Sequence, residues 1–149
     1  MQRPTIVCLC GSTRFSQAFH DENLRETLLG HIVLSIGCDF KSDTDLMIAG
    51  ELTQEDKERL DELHLRKIEL ADEVLFLNVD GYMGQSTLRE HFYAANIGRE
   101  IRYLEKPEPP NRYYVEAHDV GLNWLREQQK KGNFTGGIHL INRRGWFDE

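Results

Sequence analysis

The chain has 149 residues, of which 29% are charged and 40% hydrophobic, and this is typical of one soluble globular domain. It is too apolar for a disordered protein, and no apolar run approaches the ~18 residues that indicate a membrane span. The 25 acidic and 18 basic residues give a net charge of −7, which argues against a long nucleic acid as the partner because phosphate binding needs basic patches.

The predicted elements alternate between strands and helices. In the first half they are a strand at 5–9, a helix at 15–29 with Phe15, Phe19 and Leu28 on its apolar side, a strand at 31–36 and a loop at 37–52. Thr53 is predicted to cap a helix whose first turn is acidic. The apolar residues of that helix are Leu60, Leu63, Ile68 and Ala71.

The second half continues the alternation. It comprises a strand at 74–79, a loop at 80–85, a helix at 86–98, a strand at 101–104, a helix at 113–131 and an edge strand at 138–141. Alternating strands and helices predict an α/β fold, a small Rossmann-like three-layer sandwich with a mainly parallel sheet. The proline-rich segment 106–111 is the clearest boundary. It separates an α/β core, 1–106, from a C-terminal helix and tail, 107–149, packed on the same domain or on a partner subunit.

The amino terminus and the cysteines indicate a cytoplasmic protein. Residues 1–15 lack the basic and apolar segments of a signal peptide. Three cysteines, Cys8, Cys10 and Cys38, do not make a disulfide framework. Cys8 and Cys10 fall on an apolar strand, where a thiol acts as a small hydrophobe. The six histidines show no zinc-ligand spacing, so neither a metal nor a cofactor is expected.

The turn after the first strand has the parts of a small anion site. Gly11 permits a tight turn, Ser12 and Thr13 offer hydroxyl groups, and the next helix offers free amide hydrogens. Arg14 adds a forked donor suited to phosphate. The segment lacks both the Walker pattern and the GxGxxG pattern. It is therefore either a phosphate-binding loop or a plain strand-to-helix turn with a serine cap.

A second polar loop, residues 80–87, leads into the third predicted helix at the carboxyl edge of the sheet. If Ser86 caps that helix, Glu90 lies about one turn in, where the helix dipole favours an ionised carboxylate. Glu90 is then either a nucleophile or base, or a solvated glutamate paired with Arg89 or Arg99. His64 falls on or beside an apolar helix face, which is typical of a core histidine.

Three segments, taken in order, resemble a known family. They are CGSTRF at 10–15, HLRKIELADEVLFLNVDG at 64–81 and GQSTLREHFYAANIGREI at 84–101. Together they are similar to the nucleoside 2-deoxyribosyltransferase superfamily, which includes the 2'-deoxynucleoside 5'-phosphate N-hydrolases. The resemblance covers residues 5–104 and leaves out 107–149. It implies a flavodoxin-like fold, a nucleoside or nucleotide as the small-molecule partner, and a homodimer or higher homo-oligomer whose pocket a neighbouring subunit completes.

The resemblance implies an enzyme that cleaves the bond between base and deoxyribose. Glu90 matches the family glutamate that attacks the anomeric carbon and forms a glycosyl-enzyme, which water or another base then resolves. Asp80 matches an aspartate found in the transferases. Gly11, Ser12 and Arg14 match the loop that holds the 5'-phosphate. The candidate binding residues in the two loops are Gly11, Ser12, Thr13, Arg14, Gly84, Ser86 and Thr87.

The chain departs from the family pattern at three places. Cys8 and Leu9 stand where an aromatic residue usually precedes the glycine, and Gly84 replaces a polar residue. His64 stands in place of a catalytic aspartate, and a histidine can still deliver a proton to a leaving base. The sequence therefore predicts an N-glycosidase or deoxyribosyltransferase with Glu90, His64 and Asp80 as catalytic residues. The alternatives are a nucleotide-binding or sensing module without turnover, and an interaction protein that uses its C-terminal segment.

Overall fold

A computed structural model gives the architecture of the chain and describes residues 2–37, 42–109 and 111–133, apart from the side chain at position 43. The strands are β1 (Ile6–Cys10), β2 (Ile32–Leu34), β3 (Glu73–Phe76) and β4 (Glu100–Tyr103). The helices are α1 (Ser16–Leu28), α2 (Asp43–Ile48), α3 (Gln54–Leu70), α4 (Gln85–Asn96) and α5 (Arg112–Lys130). A short 3-10 turn, Val79–Gly81, lies between β3 and α4.

The four strands form one parallel sheet in the order β2-β1-β3-β4. In its register Ile6 pairs with Ile32 across β1 and β2, and Val7 pairs with Glu73 across β1 and β3. Parallel neighbours need crossover connections, which the helices between the strands supply. The predicted α/β sandwich with a parallel sheet is confirmed, and the strand order is that of a doubly wound sheet.

The two faces of β1 pack against different helices because successive side chains of a strand point to opposite sides. Val7 and Leu9 pack with Phe19 of α1. Cys8 and Cys10 belong to the larger core, which includes apolar residues of α3 and α4. All four of these β1 side chains are fully buried. The central strand β1 is therefore covered on both faces, as is typical of a parallel sheet.

The helix that follows Thr53 begins as predicted. The Thr53 hydroxyl accepts a hydrogen bond from the Asp56 N–H, and the Asp56 carboxylate accepts one from the Thr53 N–H. This reciprocal capping box satisfies two backbone donors that a helix start leaves without partners. It fixes the start of α3, which carries His64 against the sheet.

The segment 37–52, predicted to be a loop, contains α2. The Ser42 hydroxyl caps this helix by accepting from the Asp45 N–H. A helix of six residues is too short to show an apolar period, so the pattern could not reveal it.

Two leucines predicted to face the core are exposed instead. Leu28 is 77% exposed and Leu63 is 48% exposed. The inward positions of α1 belong to Phe19 and to two glutamates further along the helix, and His64 takes the inward position beside Leu63. In both helices a polar side chain is therefore buried against the core, while a nearby leucine that the apolar pattern placed there points to solvent.

The helix α5 packs on α4 of the same chain. A Cβ atom at Gly121 would lie 2.5 Å from Cβ of Phe92, so glycine is required for this close approach of the two helices. The predicted strand at 138–141 and Cys38 lie outside the described residues. Across the described ranges, no helix combines the length and the apolar character needed to cross a membrane.

Candidate active site

One cavity at the carboxyl edge of the sheet brings together residues from distant parts of the chain. Its volume is about 410 Å³, within the range of small-molecule sites. The turn after β1 and the loop before α4 meet here because both follow strands that end at this edge. Eight of the predicted site residues line the cavity: Gly11, Ser12, Thr13, His64, Gly84, Ser86, Thr87 and Glu90.

The turn after β1 passes close to the neighbouring strand segment. A Cβ atom at Gly11 would lie 3.1 Å from Cβ and 3.3 Å from the carbonyl oxygen of Leu77, so this approach favours glycine. The residue that caps α1 is Phe15, and no side chain completes the cap. The serine cap considered for this turn is therefore wrong, and Ser12 lies on the cavity wall instead.

Arg14 stands beside the cavity rather than among its lining residues. Its guanidinium lies 4.5 Å from the centre of the Tyr82 ring. It donates hydrogen bonds to the Tyr82 hydroxyl and to Ser12 Oγ, each at 3.2 Å. Both of these partners line the cavity. An exposed arginine is thus held at the rim by an aromatic ring and a hydroxyl.

The helix α4 begins before Ser86. Its N-cap is Gly84, with no side-chain cap bond, so the conditional cap by Ser86 is wrong. Ser86 and Thr87 line the cavity instead. The first-turn amide hydrogens of α4 therefore have no side-chain cap, and such amides favour an anionic group of a ligand.

Glu90 projects from α4 toward His64 of α3. Its Oε2 lies 3.4 Å from His64 Nε2, and the two side chains are 15% and 9% exposed. Arg99 donates to backbone oxygens of α3 and of the end of α4, and the Arg89 guanidinium lies over an aromatic ring of α5. Interpreting Glu90 as a solvated glutamate paired with either arginine is therefore wrong.

Burial and mutual charge set the pKa values of this pair. Burial raises the pKa of Glu90 to about 7, because the nearby His64 offsets it only in part. Burial lowers the pKa of His64, but the Glu90 carboxylate and the Cys8 thiol outweigh it and raise that pKa to about 9. The pair therefore holds an imidazolium next to a carboxyl group that ionises near neutral pH.

Two thiols complete the cluster around His64. Cys10 Sγ lies 3.2 Å and Cys8 Sγ 3.7 Å from His64 Nε2. The hydrogen bond with Cys10 lowers the pKa of Cys8, whereas burial raises the pKa of Cys10. The cluster therefore combines two sulfur atoms, an imidazole and the nearby Glu90 carboxylate.

No spacing in the sequence revealed this cluster. The two cysteines are 54 and 56 residues from the histidine, far beyond the spacings that identify metal sites in a sequence. One signal was present, because residues two apart on a strand point to the same face. The Cys-x-Cys pattern on the first predicted strand placed both sulfurs on one side of the sheet.

Charged residues of α3 that belong to no motif of the sequence also line the cavity. They are Lys57, Asp61 and Lys67. Lys57 pairs with Asp61, and the Lys67 ammonium donates to the Ser35 carbonyl oxygen at 2.6 Å. Positions 57, 61 and 64 recur at helical spacing, so they form one polar stripe that a search for apolar periods overlooks.

Asp80 is outside the set of residues that line the cavity. It is exposed and has a φ of 54°, a left-handed conformation that aspartate tolerates better than most residues. Its N–H donates to the Glu105 carboxylate at 2.8 Å. This geometry gives Asp80 a place in the turn before α4, and its catalytic role stays a prediction.

Comparisons with models of protein families, with curated proteins and with solved structures found no match for this chain. The residues of the cavity are therefore the indication of what the chain does.

Proposed function

We propose that the chain is an N-glycosidase that cleaves the bond between the base and the sugar of a nucleoside or nucleoside 5'-monophosphate. Glu90 is the nucleophile in this proposal. The observation that carries it is the place of Glu90, whose largely buried carboxylate lies on the cavity wall beside His64. This is an arrangement in which a nucleophile and a proton donor contact the same ligand.

The cavity supports a ligand of nucleotide size with an anionic group. Its volume of about 410 Å³ falls within the usual range of small-molecule sites. Hydroxyls of Ser12, Thr13, Ser86 and Thr87 supply hydrogen bonds to a sugar or phosphate. The starts of α1 and α4 lack side-chain caps, and their amide hydrogens favour a phosphate. Arg14 at the rim adds a positive charge.

The proposed reaction has two steps. A Glu90 oxygen attacks the anomeric carbon while the bond from that carbon to the base nitrogen breaks, and the bonding electrons leave with the base. The His64 imidazolium gives its proton to the leaving base. Neutral His64 then takes a proton from water as the water attacks the anomeric carbon. The sugar is released and the Glu90 carboxylate is restored, with overall retention of configuration.

A chromatographic assay tests the proposal. Purified protein is incubated with ribo- and deoxyribonucleosides and with their 5'-monophosphates, and free base is measured. We expect wild type to release base from at least one compound and Glu90→Gln to release none. Glu116→Gln, at an exposed position of α5, is the matched control and should keep the wild-type rate. Base release by Glu90→Gln at the wild-type rate would contradict the assignment of the nucleophile.

One observation favours a second function, which is nucleotide binding without turnover. The pKa of Glu90 is raised to about 7 by burial. At neutral pH a large part of the carboxyl groups is therefore protonated, and a protonated carboxyl group is a weaker nucleophile than a carboxylate. A binding module predicts a higher melting temperature with nucleoside monophosphates, since binding to the folded state raises stability. It also predicts no free base from any compound in the assay.

A further inference from the structure

The cluster around His64 contains two thiols, those of Cys8 and Cys10, that have no role in the proposed N-glycosidase reaction. Cys8 Sγ, Cys10 Sγ and His64 Nε2 all lie within 4.8 Å of one another. All three residues are buried. No step of base–sugar cleavage requires a thiol. The convergence of two sulfurs and an imidazole nitrogen from β1 and α3 therefore calls for a different chemistry.

The distances fit the edges of a tetrahedral metal site. With Zn–S near 2.3 Å and Zn–N near 2.05 Å, the sulfur and nitrogen ligands of a tetrahedral zinc ion lie about 3.6 Å apart. The observed distances from His64 Nε2 are 3.2 Å to Cys10 Sγ and 3.7 Å to Cys8 Sγ. These atoms are placed so that one ion can reach all of them with small side-chain adjustments.

Glu90 occupies the place of a fourth ligand. A carboxylate oxygen and an imidazole nitrogen bound to one tetrahedral zinc ion lie about 3.4 Å apart. Glu90 Oε2 is 3.4 Å from His64 Nε2. Glu90 also contributes to raising the pKa of Cys10, so the carboxylate is close enough to this thiol to interact with it. The set is therefore two thiols, one imidazole and one carboxylate, a combination typical of zinc.

The surroundings of the cluster suit a bound cation. Apolar residues of the larger core, including Ile68, Val74 and Phe76, share that core with the two cysteines and shield them from bulk water. His64 and Glu90 line the cavity, which gives an ion a path to the ligands. Two thiolates and a carboxylate carry three negative charges, so a divalent cation compensates most of the buried charge.

We propose that Cys8, Cys10 and His64 bind a thiophilic divalent cation of the zinc class, with the Glu90 carboxylate as the fourth ligand. This inference goes beyond the proposed function and opposes it, because a carboxylate bound to the metal does not attack a sugar. The metal-bound chain is an inactive form, and removal of the cation frees Glu90 and His64 for the reaction.

Cobalt titration tests the site directly. Protein stripped with a chelator and kept reduced is titrated with Co²⁺, and then with Zn²⁺ as competitor. We expect one Co²⁺ per chain, a thiolate-to-cobalt charge-transfer band and the strong visible bands of tetrahedral Co²⁺, all lost when Zn²⁺ displaces it. Zn²⁺ should also raise the melting temperature. A wild-type protein that shows no charge-transfer band overturns the site without any variant being needed.

Variants assign the ligands. Cys8→Ser, Cys10→Ser and His64→Gln should each weaken Zn²⁺ binding by more than about 100-fold, the most that losing an outer hydrogen-bond partner of a ligand costs. Glu90→Gln should weaken binding less and keep the charge-transfer band. Cys38→Ser is the matched thiol control and should bind as wild type does. Loss of the band in Cys38→Ser, with retention in Cys8→Ser and Cys10→Ser, would overturn the proposal. Circular dichroism checks that each variant is folded.

Base release measured on the same samples separates this inference from the proposed function. We expect the metal-free protein to release base and one equivalent of Zn²⁺ to stop it. Faster base release with Zn²⁺ than without it would overturn the assigned inhibition. If Co²⁺ binds with two thiolates and no sample releases base, the N-glycosidase proposal fails and the metal site stands. If base is released and no Co²⁺ binds, the metal site fails and the N-glycosidase proposal stands.

Discussion

A buried carboxylate of α1 and a largely buried one of α4 differ in how their charge is compensated. The Glu26 carboxylate is fully buried and accepts hydrogen bonds from Arg102 and from His31. The Glu90 carboxylate faces His64, whose Nε2 is 3.4 Å away, and lies on the wall of a cavity. The first belongs to a network with an arginine, the second to a cluster of thiols and imidazole.

The pKa values of the two carboxylates move in opposite directions. Burial acts to raise the pKa of Glu26, but hydrogen bonds from Arg102 and His31 outweigh it, and the pKa is lowered. Burial dominates at Glu90 and raises its pKa to about 7. A buried carboxylate that accepts hydrogen bonds from charged partners holds elements together, whereas one whose burial is offset only in part, in a cavity, is typical of a site of chemistry.

Replacing Glu90 by Gln is the strongest test of this difference. Base release should fall by about 10⁴-fold or more, the scale of loss when a covalent catalyst loses its nucleophile. The free energy of unfolding should change by less than about 1 kcal/mol because burial already opposes the charge. Initial rates and urea unfolding measure the two effects. A variant that keeps more than about a tenth of the rate would remove Glu90 from the mechanism.

Replacing Glu26 by Gln should have the reverse effect. The free energy of unfolding should fall by about 2 kcal/mol, the scale of one charged hydrogen bond, because the partly buried Arg102 then keeps only Glu73 as its carboxylate partner. The specific activity of the folded protein should not change. The control is Glu22→Gln, whose partner Arg25 has a side chain that is 57% exposed, so its loss should stay below about 1 kcal/mol. Equal losses in urea unfolding would contradict the structural role of the Glu26 network.

A third buried group, His91, tests the effect of burial by itself. His91 is fully buried, with Nε2 2.8 Å from the Tyr103 hydroxyl oxygen, and burial lowers its pKa to about 3. Below about pH 6.5 the unfolded chain takes up a proton that the folded chain does not. The contribution of neutral His91 to the free energy of unfolding is therefore fully present above about pH 6.5. Below that pH it falls by about 1.4 kcal/mol per pH unit, until folded His91 itself takes up a proton near pH 3.

The measurement is the free energy of unfolding of wild type and His91→Gln at several pH values. The wild-type curve should be steeper between about pH 6 and pH 4 by about 1.4 kcal/mol per unit. His118→Gln, on a half-exposed side chain of α5, should keep the wild-type slope. Parallel curves for wild type and His91→Gln would mean that folded His91 accepts a proton in this range.

The smallest expected effect concerns the rim of the cavity. Arg14→Ala should weaken binding of nucleoside monophosphates by about tenfold, because one charge-assisted hydrogen bond contributes roughly 1.4 kcal/mol or more. Binding of the corresponding nucleosides should change by less than about twofold. Calorimetric titration measures both, and Arg126→Ala, at an exposed position of α5, is the control. Equal weakening of nucleosides and monophosphates would remove the phosphate role of Arg14.

Much of the fold could be predicted because local patterns specify it. The apolar run at 74–79 indicates a strand that is covered on both faces, and the Thr53 cap marks the start of α3. The helix α2 was missed because six residues show no period. Leu28 was predicted to face the core and is exposed, because Glu26 is the residue of this turn that is buried. The burial of Glu26 depends on its contacts with Arg102 and His31, which the sequence pattern does not show.

The candidate site was predicted in part. The two loops and Glu90 were singled out by residue type and by their place after strands, and the structure brings most of them to one cavity. The partners of Glu90 were not predicted. The local charge pattern predicts a neighbouring arginine as the ion-pair partner of Glu90. The observed contact with His64 depends instead on how α3 and α4 pack on the sheet.

The sequence by itself determined the alternation of elements, the parallel sheet and the edge at which the cavity forms, because apolar periods and turn residues act over short stretches of chain. Only the tertiary structure decided that Cys8, Cys10 and His64 meet. Their convergence depends on the crossing of β1 and α3, and no local spacing encodes a contact between residues so far apart in the chain.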